Sequence, residues 1–425
     1  MELKEYPYVG ERVWCDVLDN GLKFFFVPKA DFNKTTAFFA TNYGGADRRF
    51  RLGGKWVDTP AGVAHFLEHK MFDMPEGENA LTRLSALGAN ANAFTSVDMT
   101  AYHFESVERF REAYELLLQF VSVPYFTRES VKKEQGIIGQ EIRMTEDEPG
   151  ECLYYGLMRQ LFREHPLRDP VVGTVESIGE ITPETLYLCH KVFYDPSNMA
   201  LVVVGRGDPD ELRDIAAEIL PAGAGMPPVK DYGAKEDLVP RGSRVTKKMA
   251  VGMPIFFAGC RTAAELRGRR AQKYELTAAL ALSTLMGRSS PLFSRLYDEG
   301  LINDTFSYSF DNAAGISYAL FGGDSDEPDR VVEAVLQEAE RFGREGPEQA
   351  FFERRKKAAY GHAIRELNLF DEICYNMAAA AFTGYDYFEA PRMIAEITAE
   401  DVRAFIAKNL TPAMTAVSII ETQEG

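Results

Sequence analysis

Thr59-Pro60-Ala61-Gly62-Val63-Ala64-His65-Phe66-Leu67-Glu68-His69 is the stretch from which the rest of the chain is read. Thr59 is a typical helix N-cap residue and Pro60 suits a first helical position, so a helix is predicted to open at Pro60. On that helix His65 and His69 leave the same face one turn apart, with Glu68 beside them. Two imidazoles so placed can chelate one metal ion, and a neighbouring carboxylate can take a proton from water on it. The order is H-x-x-E-H, the inverse of the commoner H-E-x-x-H. The plain alternative is a helix with two hydrogen-bonded histidines and a surface glutamate. The chain has six histidines in 425 residues. At that frequency the pattern arises by chance in roughly one such chain in a hundred or fewer.

A chain this long predicts roughly two to three domains. Its hydrophobic share of 46% and charged share of 26% are those of a globular protein. The net charge of −17, from 47 basic and 64 acidic residues, argues against nucleic acid or an anionic membrane as partner. Cys15, Cys152, Cys189, Cys260 and Cys374 are scattered and form no C-x-x-C pair, which fits a reducing cytosol better than a disulfide framework. Met1-Glu2-Leu3-Lys4-Glu5-Tyr6 lacks the basic start and apolar core of a signal peptide. No run reaches the roughly 18 apolar residues of a membrane helix. The expected location is cytoplasmic.

Outward from the histidine stretch, residues 12–28 alternate and turn at Asp19-Asn20-Gly21, a hairpin signal. Thr35 to Asn42 is a predicted strand, and Ala80 to Leu87 a helix stopped by Gly88. Ala89-Asn90-Ala91-Asn92-Ala93-Phe94-Thr95-Ser96 and Thr100 to Phe104 read as two strands joined around Val97-Asp98. The small residues and amides of the first suit either close approach by another backbone or plain packing. Glu129 to Thr145 is a long helix with Glu134 and Glu141 on one face. Ile137, Ile138 and Ile142 take much of the rest, and Gly136 and Gly139 allow tight packing. Glu141, flanked by Ile138 and Ile142, is expected to be partly buried, and a buried carboxylate needs a partner such as a metal. His165-Pro166 reads as a turn, with His165 a packing residue.

The second half echoes the first. Ile181-Thr182-Pro183-Glu184 returns 216 residues later as Ile397-Thr398-Ala399-Glu400. Leu81-Thr82-Arg83-Leu84 before a strand matches Phe293-Ser294-Arg295-Leu296 before another. Where the histidine helix should recur, Ala279 to Met286 is simply apolar. The Gly/Pro-rich residues 221–242 read as a linker. The expectation is an α+β fold of two homologous α/β halves, each a mixed, largely antiparallel sheet flanked by helices. A metal-binding half would span 1–220 and a metal-free half 243–425.

With His65-Phe66-Leu67-Glu68-His69, Asn92-Ala93-Phe94-Thr95, Glu134 to Glu141, His165-Pro166 and the duplication, the chain resembles the pitrilysin/insulinase family of inverted zincins. Within that family it is similar to the short branch shaped like mitochondrial processing peptidase, and to its bacterial YmfH-like group. The resemblance implies that His65, His69 and Glu141 bind one Zn2+ per chain. It implies that Glu68 is the catalytic base and Glu134 an accessory glutamate behind the metal. Asn92, Ala93, Phe94 and Thr95 would form an edge strand that holds substrate backbone. Active members, or their partner subunits, also carry an Arg and a Tyr in the second half that meet substrate. Here those positions hold Tyr297 and Asn303, with Arg295 and Tyr308 as nearby substitutes.

The function so implied is that of a zinc metalloendopeptidase cleaving unfolded peptides. The chain would be the zinc-bearing subunit of a homo- or heterodimer whose homologous partner supplies the Arg/Tyr pair. The alternatives are a non-catalytic scaffold or assembly subunit and a peptide-binding module of the same fold.

Overall fold

The structure, a computed structural model, describes residues 1–223, 225–263 and 267–423. The chain opens with β1 (Glu2–Tyr6), β2 (Glu11–Val17), β3 (Lys23–Pro28), β4 (Thr35–Thr41) and the short pair β5 (Arg49–Leu52) and β6 (Lys55–Asp58). Next come α1 (Val63–Met71), α2 (Ala80–Ala86), β7 (Asn90–Thr95), β8 (Thr100–Ser106), α3 (Phe110–Ser122), α4 (Arg128–Asp147) and α5 (Pro149–Leu161). After α6 (Val175–Gly179), α7 (Pro183–Phe193), β9 (Met199–Gly205) and α8 (Pro209–Ile219) the chain passes to β10 (Arg244–Met249) and β11 (Ile255–Thr262). There follow α9 (Gly268–Met286), α10 (Pro291–Asp298), β12 (Ser307–Ala313), β13 (Ile316–Asp324), α11 (Pro328–Glu345) and α12 (Gln349–Glu366). The last elements are α13 (Phe370–Thr383), α14 (Ala390–Glu396), α15 (Ala399–Asn409) and β14 (Thr415–Thr422).

These elements form two compact units, each built from separated stretches. The first takes Met1–Ile142, Pro170–Tyr232 and Arg365–Phe388; the second takes Arg143–Asp169, Gly233–Ile364 and Glu389 onward. The first unit's sheet runs β1-β2-β3-β9-β4-β8-β7, with β3 and β9 parallel and every other pair antiparallel. The second unit's sheet runs β10-β14-β11-β13-β12, with β10 and β14 parallel and the rest antiparallel. Five consecutive strands thus repeat in order and sense, the duplication expected from the sequence echo. The first unit adds the β1–β2 ribbon.

The helices on these sheets follow from the strands' composition. β4 and β9 are buried throughout, so both faces of the sheet must be covered. In the first unit α13 lies on β9 and β4 and buries Phe370, Ile373, Cys374 and Met377. In the second unit α5 lies on β14, β11 and β10 and buries Leu153, Leu157, Met158 and Leu161. Both sets recur at helical spacing along one face. The echoed helix starts are real: Thr182 accepts from the Thr185 N–H at the head of α7, and Thr398 from the Asp401 N–H at the head of α15. Asp19-Asn20-Gly21 turns as expected, with Gly21 at φ +88°.

Two local expectations fail, the start of the histidine helix and the packing role of two glycines on α4. The histidine helix begins at Val63, not Pro60, because Thr59 gives its hydroxyl to the Arg48 carbonyl and caps nothing. The chain then turns at Gly62, whose φ of +90° is the left-handed region where glycine is at ease. On α4, Ile138 and Ile142 are buried but Ile137 is exposed. A Cβ built on Gly136 or Gly139 would meet nothing within 4 Å, so neither glycine serves close packing among the described residues. All five cysteines are free thiols. No described helix is long and apolar enough to cross a membrane.

Candidate metal centre

Helix α1 is a buried helix with a polar corner. Val63, Ala64, Phe66, Leu67 and Met71 enter the core and fix the helix, which leaves His65, Glu68 and His69 turned toward α4 and β7. Helix α4 answers with Glu141 and, two turns earlier, Glu134. His65 Nε2 stands 3.4 Å from Glu141 Oε1, and His69 Nε2 stands 3.8 Å from Glu141 Oε2. One ligand atom from each of the three residues falls within 4.8 Å of the others. Donors about 2.1 Å from a tetrahedral ion lie about 3.4 Å apart, so the spacing fits one such ion. Two imidazoles and a carboxylate are a set that zinc accepts while keeping a fourth position open. The three residues fit a metal. His65 Nδ1 is buried and has no hydrogen-bond partner among the described residues.

Glu134 sits behind this group. Its Oε1 is 3.2 Å from His69 Nδ1, the ring nitrogen turned away from Glu141, and its Oε2 is 3.6 Å from Lys70 Nζ. A carboxylate there fixes the imidazole's tautomer and orientation. Burial opposes charge on His69, but the hydrogen bond to Glu134 and the charges of Glu68, Glu134 and Glu141 outweigh it and raise the His69 pKa above the ordinary value. Burial also opposes charge on Glu134, and His69 and Lys70 outweigh it, lowering that pKa. Hydrogen bonding from His65 lowers Glu141, against some burial.

Glu68 is buried on α1 beside the histidines, and its Oε2 accepts the Thr95 hydroxyl at 2.6 Å. Thr95 ends β7, the last strand of the sheet, and Thr100 across the hairpin donates to the Tyr43 carbonyl at 2.8 Å. β7 pairs only with β8 among the described residues, so its outer edge is open to another strand. Asn92 lies opposite His103 and Phe94 opposite Ala101, while Ala93 packs against the core. The four residues read from sequence as an edge strand therefore run beside the histidine corner. The loop beyond them is tightly held: a Cβ on Gly44 would lie 2.3 Å from the Asp98 backbone. Buried Asp47 holds the Gly44 side of this approach through the Gly44 N–H, Lys230 and Tyr232.

Other residues singled out from sequence fall elsewhere. His165 is buried at the head of a short turn. Its Nδ1 accepts from the Leu167 N–H and its Nε2 meets the Ala314 carbonyl at 3.1 Å, so it is structural as expected. Tyr297 stacks on Phe293, Asn303 accepts from Thr305 in its own turn, and Arg295 is exposed on α10. Sequence reasoning missed the hydroxyl of Thr95 on Glu68 and the buried Lys70 behind Glu134. No spacing rule joins Thr95 to Glu68, whereas a lysine directly after a candidate ligand on a buried helix was a usable signal.

Comparison with known proteins gives two successive family matches along the chain. Residues 53–175 match the insulinase family, peptidase family M16, and residues 180–359 match the peptidase M16 inactive domain. An uncharacterized zinc protease of Bacillus subtilis (strain 168), YmfH, is 37% identical over 411 residues, 96% of each chain. The crystal structure of a protein described as an M16-like peptidase from Alicyclobacillus acidocaldarius superposes with a TM-score of 0.93 at 32% identity, covering 99% of this chain and all of that one. A protease from Helicobacter pylori shares the fold at a TM-score of 0.83 and 18% identity, over 97% of this chain and 100% of its own.

Proposed function

The chain belongs to the insulinase family of peptidases, M16, and from that premise we propose that it is a zinc-dependent endopeptidase acting on unfolded peptides. The observation that carries this reading is the meeting of His65, His69 and Glu141 beside Glu68, next to the open edge of β7. His65, His69 and Glu141 hold one zinc per chain. When bound there, the metal supplies Lewis acidity for a scissile carbonyl and lowers the pKa of its water to about 7. Glu134 keeps His69 turned toward the metal through Nδ1. Asn92, Ala93, Phe94 and Thr95 take the substrate as an added strand, bound through its main chain and hence tolerant of sequence. Thr95 holds Glu68 Oε2, which leaves Oε1 to accept the proton of the attacking water and to return it to the leaving amine.

Two further parts belong to the proposal. The chain works with a homologous partner, its own kind or another, because Tyr297 and Asn303 stand where active relatives are expected to carry Arg and Tyr. Residues 221–242 join the two ancestral copies. The test is zinc content by elemental analysis, with cleavage of an unstructured peptide followed on the same samples. Wild type should hold about one zinc, Glu141→Gln should lose it, and Glu68→Gln should keep it while hydrolysis falls about 10²–10⁴-fold. Zinc without hydrolysis, alone or with any homologous partner, favours the peptide-binding reading. No zinc at all overturns the proposal in favour of a scaffold.

A further inference from the structure

The second unit carries a cation where the first carries its accessory acid. Helices α4 and α12 begin alike: the Val131 N–H donates to the Thr127 carbonyl, the Phe352 N–H donates to the Glu348 carbonyl, and Val131 and Phe352 are the side chains buried at that turn. Counted from those two residues, Arg355 occupies the register of Glu134. Glu134 stands on the C-terminal end of α1. Arg355 stands at the C-terminal end of α9, where a Cβ on Gly287 would lie 3.3 Å from its Nη2.

Arg355 is half-buried and under-bonded. Its Nη1 donates to Ser289 Oγ at 3.2 Å, its Nε is buried with no hydrogen-bond partner, and among the described residues no carboxylate pairs with it. The hydroxyl of Tyr308, on the edge strand β12, comes within 3.2 Å of that same Cβ position over Gly287. Burial raises the Tyr308 pKa and the Arg355 charge only partly offsets this, so the phenol is a neutral donor. A half-buried guanidinium whose Nε has no partner can gain a charge-assisted hydrogen bond from an anion. The α9 carbonyl end gives Arg355 some compensation, but it leaves Nε unmatched. A planar guanidinium flanked by two hydroxyls matches the two oxygens of a carboxylate. Gly287 lets the α9 carbonyl end and these two groups lie close together, since a Cβ there would meet the Ser283 carbonyl oxygen at 2.4 Å.

We propose that Arg355, Tyr308 and Ser289 form a carboxylate-binding site in the metal-free unit, taking the free C-terminus or an acidic side chain of a peptide. The choice of a peptide as carrier rests on the function proposed above; the recognition of a carboxylate does not. A duplicated fold has thus kept one cation-binding copy and turned the corresponding place in the other toward anions.

The test is calorimetric binding to the metal-stripped full chain, so that no peptide is cut. The probes are an unstructured peptide without Asp or Glu, its C-terminal amide, and that amide with one internal Glu. Wild type should prefer at least one carboxylate-bearing peptide over the plain amide by about tenfold. Preference for the free acid alone identifies the C-terminus; equal preference for the internal Glu identifies the side chain. Arg355→Gln should abolish the preference, Arg355→Lys should keep part of it, and Tyr308→Phe and Ser289→Ala should each weaken it several-fold. Should Arg355→Gln not fold, as judged by thermal melting, the Tyr308 and Ser289 variants decide. Equal affinity for acid and amide, no binding of any probe, or a preference untouched by these substitutions overturns the proposal. Hydrolysis by the zinc-loaded enzyme is assayed separately, so failure of the peptidase reading leaves this result intact.

Discussion

Glu134 makes no direct approach to the Glu141 side of the histidines, yet it fixes the ring that does. Replacing it with Gln keeps a hydrogen-bonding group but removes the charge, and zinc affinity should fall about 10- to 100-fold, measured by competition with a chelator. His190 shows burial outweighing a hydrogen bond on the same type of side chain. It is buried in α7, meets the Val121 carbonyl at 3.0 Å, and burial lowers its pKa from 6.5 to about 4. Above pH 6.5 it is neutral whether folded or unfolded. As pH falls further, the unfolded chain takes up a proton that the folded chain refuses, so stability drops until about pH 4, where the folded imidazole protonates as well. The loss should approach about 3 kcal/mol. Denaturant melts of the metal-free chain at stepped pH should show that limb in wild type and a flatter one in His190→Gln. These roles were unequally legible. His65, Glu68 and His69 share one helix turn, so their spacing exposed them. His190 and Arg355 take their character from neighbours far along the chain, which no local pattern records.

The start of α1 illustrates how an element's boundary can be hidden by good local signals. Thr59 and Pro60 have the right chemistry for a cap, but the loop at Val172 closes on the chain two residues later. A Cβ on Gly62 would lie 2.6 Å from the Val172 carbonyl oxygen. Gly62→Ala therefore combines a left-handed backbone with a clash against main chain. It should cost about 1–3 kcal/mol of stability and weaken metal binding by tilting α1, both read from melts with and without zinc. Elsewhere the element reading was sound where a side chain alone decides the matter, as at the Thr182 and Thr398 caps. It failed for Gly136 and Gly139, because small size permits close packing without requiring a neighbour.

The repeated five-strand order was legible because each copy keeps its turn signals and caps in sequence. The composition of the two units was not. Amphipathic helices such as α5 and α13 advertise a buried face but not which sheet will receive it. Each unit depends on residues from beyond 232 or from before it. Fragments 1–232 and 233–425, expressed separately, should therefore each lack a covering helix. Neither should give a cooperative thermal transition, whereas their co-expression should restore one, checked by calorimetry. The first unit is also closed by contacts of very long range, such as the Tyr6 hydroxyl on Asp386, 380 positions away. On the ribosome this sets an order of events. The histidines of α1 and the glutamates of α4 emerge well before α13 (Phe370–Thr383), the helix that roofs their sheet. The nascent chain thus exposes its candidate metal ligands long before the core of the first unit can seal, and it must be kept from aggregating over that interval.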